Sequence, residues 1–266
     1  MSLPALPLNA WLRWDVVRRL VPRDVRTILE VGCGQGAVGT RLAVDHDYLG
    51  VEPDGTSYAT AAQRLAEVGR GAVLNGMVDD VVEPGRTFDL VCAFEVLEHL
   101  EDDAAAVAGW VDRVRPGGWL LLSTPAFQSR YGPFDTIVGH YRRYELADMR
   151  ALLGAAGLTE IEVVAYGAGL GEVLEAARNV VGRRRLAAGG VDAGAGHSGV
   201  ATGTTTAPTA AEMAAMTSAS GRLMQPPAAL ATATQAVTAP FRWAQRRYPE
   251  RGTGLVARAR RPVPAS

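Results

Sequence analysis

The sequence predicts an α/β fold in which a parallel sheet is covered by helices on both faces. Three observations lead to this prediction. Over residues 1–167, short apolar runs alternate with segments of helical periodicity. The central runs are apolar throughout, as expected of strands that are buried on both faces. A glycine-rich loop at residues 32–39 directly follows the first of these runs, and such loops lie at the carboxyl edge of the sheet, where ligands bind.

The first half of the predicted core begins with an amphipathic helix. Apolar residues at helical spacing occupy residues 8–21, and Pro22 ends the helix. Five elements then follow in order: strand 26–31, helix 37–45, strand 48–52, helix 56–69 and strand 71–76.

The second half continues the same alternation. A helix is predicted to begin at a capping residue, Asp102 or Asp103. The elements in order are strand 88–95, helix 102–114, a turn at 115–118, strand 119–125, helix 144–157 and strand 159–167.

The chain changes character after Gly167. We expect a helix over residues 169–188, then a mobile Gly/Ala/Thr-rich loop over residues 189–210. A second helix is predicted after Pro226 and Pro227, with a break near Pro240. One more strand is predicted at 253–261.

Composition narrows the functional classes. The formal net charge is −1 and the pI is about 6.4, so we expect neither a nucleic-acid partner nor binding to an anionic membrane. All 27 basic residues are arginines, which excludes a Schiff-base lysine. Cys33 and Cys92 fall in segments predicted to be buried, which favours a reducing, cytoplasmic location. We also expect no signal peptide and no membrane span.

The stretch VGCGQGAVG at residues 31–39 matches two ligand-binding patterns. From Gly34 it reads G-x-G-x-x-G, the pattern of dinucleotide-binding loops. From Glu30 it reads acidic-x-G-x-G-x-G, the pattern of loops that bind S-adenosylmethionine (SAM). Glu52 ends the second strand, where a carboxylate can accept hydrogen bonds from ribose hydroxyls of either ligand. The loop therefore predicts an adenosine-type nucleotide site without choosing between the two ligands.

The order of five segments resembles the class I SAM-dependent methyltransferases, of the small-molecule type that includes the ubiquinone-biosynthesis O-methyltransferases. The segments are ILEVGCGQGAVGTRLA, YLGVEPD, NGMVDDVVEPGRTFDLVCAFEVLEHLEDD, VRPGGWLLLSTP and GHYRRYELADMRALLGAAGLTEIEVV. The resemblance implies a Rossmann-like, doubly wound sheet of seven strands with the last strand antiparallel. It also implies a SAM-binding core at residues 1–167, an inserted helical and low-complexity region at 168–252, and a final strand and tail at 253–266.

The resemblance implies an enzyme of class EC 2.1.1 that transfers a methyl group from SAM to a small-molecule acceptor. Lipid-like and sugar-containing molecules are the candidate acceptors. Two alternatives stay open: a non-catalytic SAM-binding partner or regulatory protein, and a nicotinamide-dependent oxidoreductase. The insertion is a candidate lid or acceptor-binding region. The sequence does not indicate the oligomeric state.

The resemblance also assigns the cofactor site. The methionine end of SAM would lie against Glu30 and the loop residues Gly32, Cys33, Gly34 and Gly36, with the backbone of Cys33 rather than its thiol facing the donor. The other implied contacts are Glu52 for the ribose, Met77 and Val78 for adenine, and Glu95 for the methyl-donor side. Gly39 is expected to be a close-packing position in the following helix.

His99 and His140 are the candidate catalytic residues. His99 follows the fourth strand near the predicted methyl donor, and His140 lies in the loop before helix 144–157, which also reaches the carboxyl edge of the sheet. Methyl transfer needs alignment and, for a hydroxyl or amine acceptor, a proton acceptor. A structural role is the alternative for both histidines. No spacing typical of a zinc site occurs, so no metal is expected. Membrane-surface contact through Phe241 and Trp243 is conceivable, but packing on the core is favoured for both.

Overall fold

The structure is a computed structural model and describes residues 3–187 and 231–264. Its strands are β1 (Thr27–Val31), β2 (Asp47–Glu52), β3 (Ala72–Asn75), β4 (Phe88–Phe94), β5 (Val114–Pro125), β6 (Thr159–Gly167) and β7 (Gly252–Arg260).

These strands form one sheet in the order β3-β2-β1-β4-β5-β7-β6. The pairs among β1 to β5 are parallel, whereas β7 is antiparallel to both β5 and β6. This confirms the predicted doubly wound sheet with an antiparallel last strand. The strand order reverses at β1 and β4, and ligands bind outside the carboxyl ends of the strands at such a switch point.

Helices cover both faces of the sheet. They are α1 (Leu8–Leu20), α2 (Gly39–Leu42), α3 (Gly55–Val68), α4 (Val78–Val81), α5 (Asp103–Asp112), α6 (Pro133–Val138), α7 (Leu146–Ala155), α8 (Leu170–Ala187) and α9 (Ala231–Gln245). Short 3₁₀ turns occur at Leu97–His99 and Gln128–Arg130.

The core consists of two apolar clusters, one on each face of the sheet. Alternate residues of a strand point to opposite faces, so Val91 and Leu122 join one cluster while Leu90 and Leu121 join the other. Because both faces are buried, the central strands are apolar throughout, which is the pattern from which the sheet was predicted.

Two local features that were expected from the sequence are present: a helix cap and a close-packed glycine. Asp102 caps α5, since its carboxylate accepts a hydrogen bond from the amide of Ala105 at 2.8 Å. Gly39 lies where a Cβ would come within 2.2 Å of the Tyr48 hydroxyl, so the expected close packing is confirmed.

Two predicted interruptions of regular structure are absent from the structure. The predicted turn at 115–118 lies inside β5, and the β4–β5 register shifts between Phe88 and Leu90 to accommodate it. The predicted break near Pro240 is wrong, because α9 continues to Gln245. The Gln245 side-chain amide donates to the Leu12 carbonyl at 3.0 Å, so tertiary contacts hold the turn beyond the proline.

The apolar residues expected in α9 behave differently from one another. Phe241 packs against the core, as favoured, whereas Trp243 is 72% exposed. The two cysteines are buried and free. None of the helices in residues 3–187 and 231–264 combines the length and apolar character that crossing a bilayer requires. The predicted loop at 189–210 and the helix start after Pro226 lie outside the described residues.

Candidate functional site

A cavity of about 540 Å³ lies at the carboxyl edge of the sheet. The loops after β1, β2, β3 and β4 line it, and α1 and α8 contribute residues from outside the sheet. Its volume suits a cofactor-sized ligand. The cavity therefore lies at the switch point predicted from the strand order.

The loop after β1 depends on three glycines with positive φ: Gly32 (+68°), Gly34 (+55°) and Gly36 (+72°). A Cβ at Gly32 would come within 2.7 Å of Val96, and one at Gly36 within 3.0 Å of Ala61. A Cβ at Gly34 would meet nothing within 4 Å. Gly32 and Gly36 therefore permit close packing, and Gly34 keeps an open space in front of the loop.

Glu52 connects this loop to β2. Its carboxylate accepts hydrogen bonds from the amide of Gly34 at 2.8 Å and from the amide of Asp54 at 2.9 Å. The side chain is buried and lines the cavity. The structure thus brings Glu52 and the glycine loop together.

Glu30, at the end of β1, is a buried carboxylate in the floor of the cavity. The Tyr48 hydroxyl donates to it at 2.6 Å. Burial raises the pKa of Glu30 to about 7, against the hydrogen bond from Tyr48 and the charge of Arg13. Burial also raises the pKa of Cys33 well above its ordinary value, so its thiol is a poor nucleophile.

Glu95 directly follows β4 and has a φ of +58°, an uncommon conformation for a residue with a side chain. Its Oε1 lies 3.2 Å from Nη1 of Arg13 in α1. The hydroxyls of Ser123 and Tyr166 donate to the same oxygen at 3.0 and 3.2 Å. These contacts fix the carboxylate at the cavity wall.

The two residues expected at adenine occupy the start of α4. Met77 is 42% exposed at the rim and Val78 is buried, and both line the cavity. The neighbouring Asp79 also lines it, while its carboxylate accepts a hydrogen bond from Arg113 at 3.1 Å. Of the predicted cofactor residues, Gly36 alone does not line the cavity, since it packs against Ala61.

His99 and His140 come together on the opposite side of the cavity. Their ring centroids are 4.6 Å apart and the rings are nearly perpendicular, at 80°. Burial, and then the charge of His140, lowers the pKa of His99 to about 3, so its imidazole is neutral at ordinary pH. Both histidines line the cavity, as predicted from their positions beside the strands.

A buried ionic network behind His140 was missed by the sequence analysis. Asp135 lies 2.7 Å from Nδ1 of His140 and accepts hydrogen bonds from Arg143 at 2.7 and 2.9 Å. Arg143 also donates to Glu175 of α8. Burial raises the pKa of Asp135, but the bonds from His140 and Arg143 outweigh it and lower the pKa to about 2. Asp135, His140 and Arg143 lie within nine residues of sequence, but Glu175 comes from α8, so no local pattern reveals the whole network.

Glu98 was also missed. It is fully buried, and neither of its carboxylate oxygens has a hydrogen-bond donor among the other described residues. Burial raises its pKa well above the ordinary value. Its Oε1 lies 3.9 Å from Nε2 of His140. Ligand atoms of Glu98, His99 and His140 all lie within 4.8 Å of one another, so this group could hold a metal ion that the sequence analysis did not expect.

Comparison with known proteins identifies the kind of domain that the sequence resembles. Residues 29–120 match a family model described as "Methyltransferase domain". A probable S-adenosylmethionine-dependent methyltransferase of Mycolicibacterium smegmatis is 34% identical over 174 residues, which are 62% of this chain and 66% of that protein. A ubiquinone biosynthesis O-methyltransferase of Methylobacterium nodulans is 34% identical over 109 residues, which are 40% of this chain and 44% of that protein. The chain thus covers less than two thirds of the length of these relatives.

Solved structures share the fold at low sequence identity. A SAM-dependent methyltransferase from Archaeoglobus fulgidus has a TM-score of 0.53 and 12% identity, and the match covers 93% of each chain. A phosphoethanolamine N-methyltransferase 2 from Haemonchus contortus, in complex with S-adenosyl-L-methionine, has a TM-score of 0.54 and 14% identity. That match covers 94% of this chain and 52% of the other.

Proposed function

We propose that this chain, which belongs to the class I SAM-dependent methyltransferase family, transfers a methyl group from SAM to a small-molecule acceptor. The observation that carries the proposal is the contact between the glycine loop and the carboxylate that ends β2. The amide of Gly34 donates to Glu52, so a buried carboxylate lies beside an open loop in a cavity of suitable size, which supports its assignment to the ribose hydroxyls.

The cofactor would lie across the parallel strands. Its methionine end would lie against Glu30 and the loop around Gly34, and its ribose hydroxyls would bind Glu52. Met77 and Val78 are the proposed contacts of adenine, and all these residues line one cavity. Glu95 would lie beside the methyl donor, at the point where the cofactor side of the cavity meets the acceptor side.

The reaction itself asks little of the protein. The acceptor atom attacks the methyl carbon, the sulfur–methyl bond breaks, and its electron pair stays on the sulfur as a neutral thioether. The protein must align the acceptor and exclude water. A hydroxyl or amine must also lose a proton.

The acceptor would lie against His99 and His140. Asp135 occupies Nδ1 of His140, so Nε2 is the ring nitrogen directed toward Glu98 and the acceptor. A lone pair there can take up a proton or bind a cation. Phe134 and Val138 add apolar surface to the cavity lining, which supports an acceptor with an apolar, lipid-like part.

Titration calorimetry with SAM, S-adenosylhomocysteine and NAD tests the cofactor proposal. We expect binding of both adenosyl ligands, with Glu52→Gln weakening it about tenfold, because a charged hydrogen-bond acceptor is replaced by a neutral one. The matched control is Glu67→Gln on the exposed side of α3, which should bind like the unaltered protein. Binding of NAD but not of SAM would refute the proposal. Methyl transfer from labelled SAM to a panel of hydroxyl and amine acceptors then separates an enzyme from a SAM-binding protein without activity.

A further inference from the structure

We propose that Glu98, His99 and His140 bind a divalent transition-metal cation on the acceptor side of the cavity. The binding site stands on the geometry of these three side chains, and only its catalytic consequence rests on the function proposed above. The ligand atoms come from the 3₁₀ turn after β4 and from the loop that follows α6, and they lie within 4.8 Å of one another.

The strongest indication is the buried carboxylate. Glu98 is 0% exposed, and no other described residue donates a hydrogen bond to either of its oxygens. A buried ionised group without a partner costs several kcal/mol. A cation at this position would supply the missing partner and would bind an oxygen that already faces two imidazoles.

The second indication is the way in which both histidines are held from behind. Nδ1 of His140 is bonded to the Asp135 carboxylate at 2.7 Å, and the backbone of Gly139 hydrogen-bonds the His99 ring. Metal-binding histidines nearly always use their second ring nitrogen in this way, with a carboxylate or backbone carbonyl as partner. Each ring is thereby oriented with one nitrogen left for a cation.

The outer partners extend to helix α8. Arg143 bonds both oxygens of Asp135 and also Glu175 in α8, and all three side chains are buried. The Asp135 carboxylate, which bonds His140, is therefore held in place from α8, the helix that follows β6. We infer that α8 positions a metal ligand through Arg143 and Asp135, although none of its own side chains belongs to the set.

The ligand types indicate the kind of metal. Two imidazoles and one carboxylate suit Zn²⁺, Mn²⁺ or Fe²⁺ better than Mg²⁺, which prefers an octahedral set of oxygens. Three protein ligands leave positions open for an acceptor oxygen.

A cation in this place changes how the acceptor loses its proton. By binding an acceptor hydroxyl, it would lower the hydroxyl's pKa so that the proton passes to water. The oxygen then attacks the methyl carbon, the sulfur–methyl bond breaks, and the electron pair stays on sulfur. The site therefore favours O-methylation over transfer to nitrogen.

Metal binding can be measured without any acceptor. The full chain, treated with a chelator and dialysed, is titrated with Zn²⁺ by calorimetry and with Co²⁺ by visible absorption. We expect one equivalent to bind, with Co²⁺ d–d bands that report a nitrogen and oxygen environment. Glu98→Gln and His140→Ala should each weaken binding at least tenfold, and Asp135→Asn about ten- to a hundredfold, as found for partners of metal-binding histidines.

The matched control is His46→Gln, since His46 precedes β2 at the opposite edge of the sheet and should not contribute to the site. S-adenosylhomocysteine binding by each variant shows that the fold is intact. The proposal is overturned if the unaltered chain takes up no Zn²⁺ or Co²⁺, or if Glu98→Gln binds them equally well. If either result is found while S-adenosylhomocysteine still binds, the metal site alone is refuted. If the unaltered chain does not bind SAM, the proposed function is refuted.

Discussion

The substitution Glu30→Gln should make the protein more stable at neutral pH, because it removes a buried carboxylate that resists ionisation. Glu30 is 2% exposed, and the Tyr48 hydroxyl that donates to it can donate equally to a glutamine carbonyl. The charged and titratable groups around it are Arg13, Cys33, Tyr48, Glu52 and Cys92. Burial keeps the pKa values of Tyr48 and Cys33 high, so neither titrates near pH 7.

The sign and size follow from the pKa difference. Glu30 has an ordinary value of 4.5 in the unfolded chain and about 7 in the folded protein. Between these values the folded state holds a proton that the unfolded state has lost, so stability falls as pH rises and is lowest above pH 7. The difference between the two pKa values corresponds to about 3 kcal/mol. Glutamine has no such dependence, so the advantage of Glu30→Gln should grow by about 2 to 3 kcal/mol from about pH 5 to about pH 8.

Urea denaturation of both proteins at several pH values measures this directly, since the difference between them isolates Glu30 from all other titrating groups. Glu67→Gln, on the exposed side of α3, serves as the control for replacing a glutamate with a glutamine. A difference between Glu30→Gln and the unaltered protein that stays constant with pH would contradict the reasoning. Despite its greater stability, Glu30→Gln should bind SAM more weakly, because it cannot offer a negative charge to the cofactor's ammonium group.

Three further substitutions test other parts of the structure. Asp89→Asn should lower the free energy of unfolding by about 2 kcal/mol, because the carboxylate accepts hydrogen bonds from two backbone amides and the Thr27 hydroxyl. Urea denaturation measures this loss, and a change in SAM affinity would argue against a purely structural role for Asp89. Gly34→Ala should cost about 1 kcal/mol through its positive φ but abolish cofactor binding in calorimetry, since its methyl group would enter the open space; normal binding would contradict the site. Gln245→Ala should cost about 2 kcal/mol and speed proteolysis of α9, because the side chain bonds both the Leu12 carbonyl and the Gly167 amide; unchanged proteolysis would show that other contacts hold the helix.

The sheet and the meeting of the glycine loop with Glu52 were predictable because their signals are local. Buried strands are recognised in the sequence as unbroken apolar runs. The glycine loop directly follows one of these runs, and Glu52 ends another. The parallel arrangement then places all strand ends at one edge. This is why Glu30, Gly34 and Glu52 could be assigned to one site before their positions were known.

The surroundings of His99 and His140 were less predictable because their signals are not local. Asp135, Arg143 and Glu175 meet only after α6 and α8 have packed together, and nothing in their own segments marks them as partners. Glu98 is adjacent to a histidine that the sequence did single out, yet its complete burial depends on the tertiary structure. Pro240 illustrates the same limit, since local propensity predicts a break that contacts of Gln245 prevent.

Charge balance links the two sides of the cavity. Arg13 offsets Glu95, and Arg143 offsets Asp135 and Glu175. Among the described residues, no arginine forms a salt bridge with Glu30 or Glu98, and burial raises the pKa of both carboxyls.

Each of these two carboxyls therefore either holds a proton or meets a cation that enters the cavity. SAM, bound as proposed, would bring positive charge to the side of Glu30, and a divalent metal would bring it to the side of Glu98. Each cation would interact with a different carboxyl. Loss of Glu98 should therefore leave most of the SAM affinity in place, and loss of Glu30 should leave the metal affinity in place. The calorimetric titrations of Glu30→Gln and Glu98→Gln with both ligands test this independence, and equal losses in all four would show that the two sides act as one site.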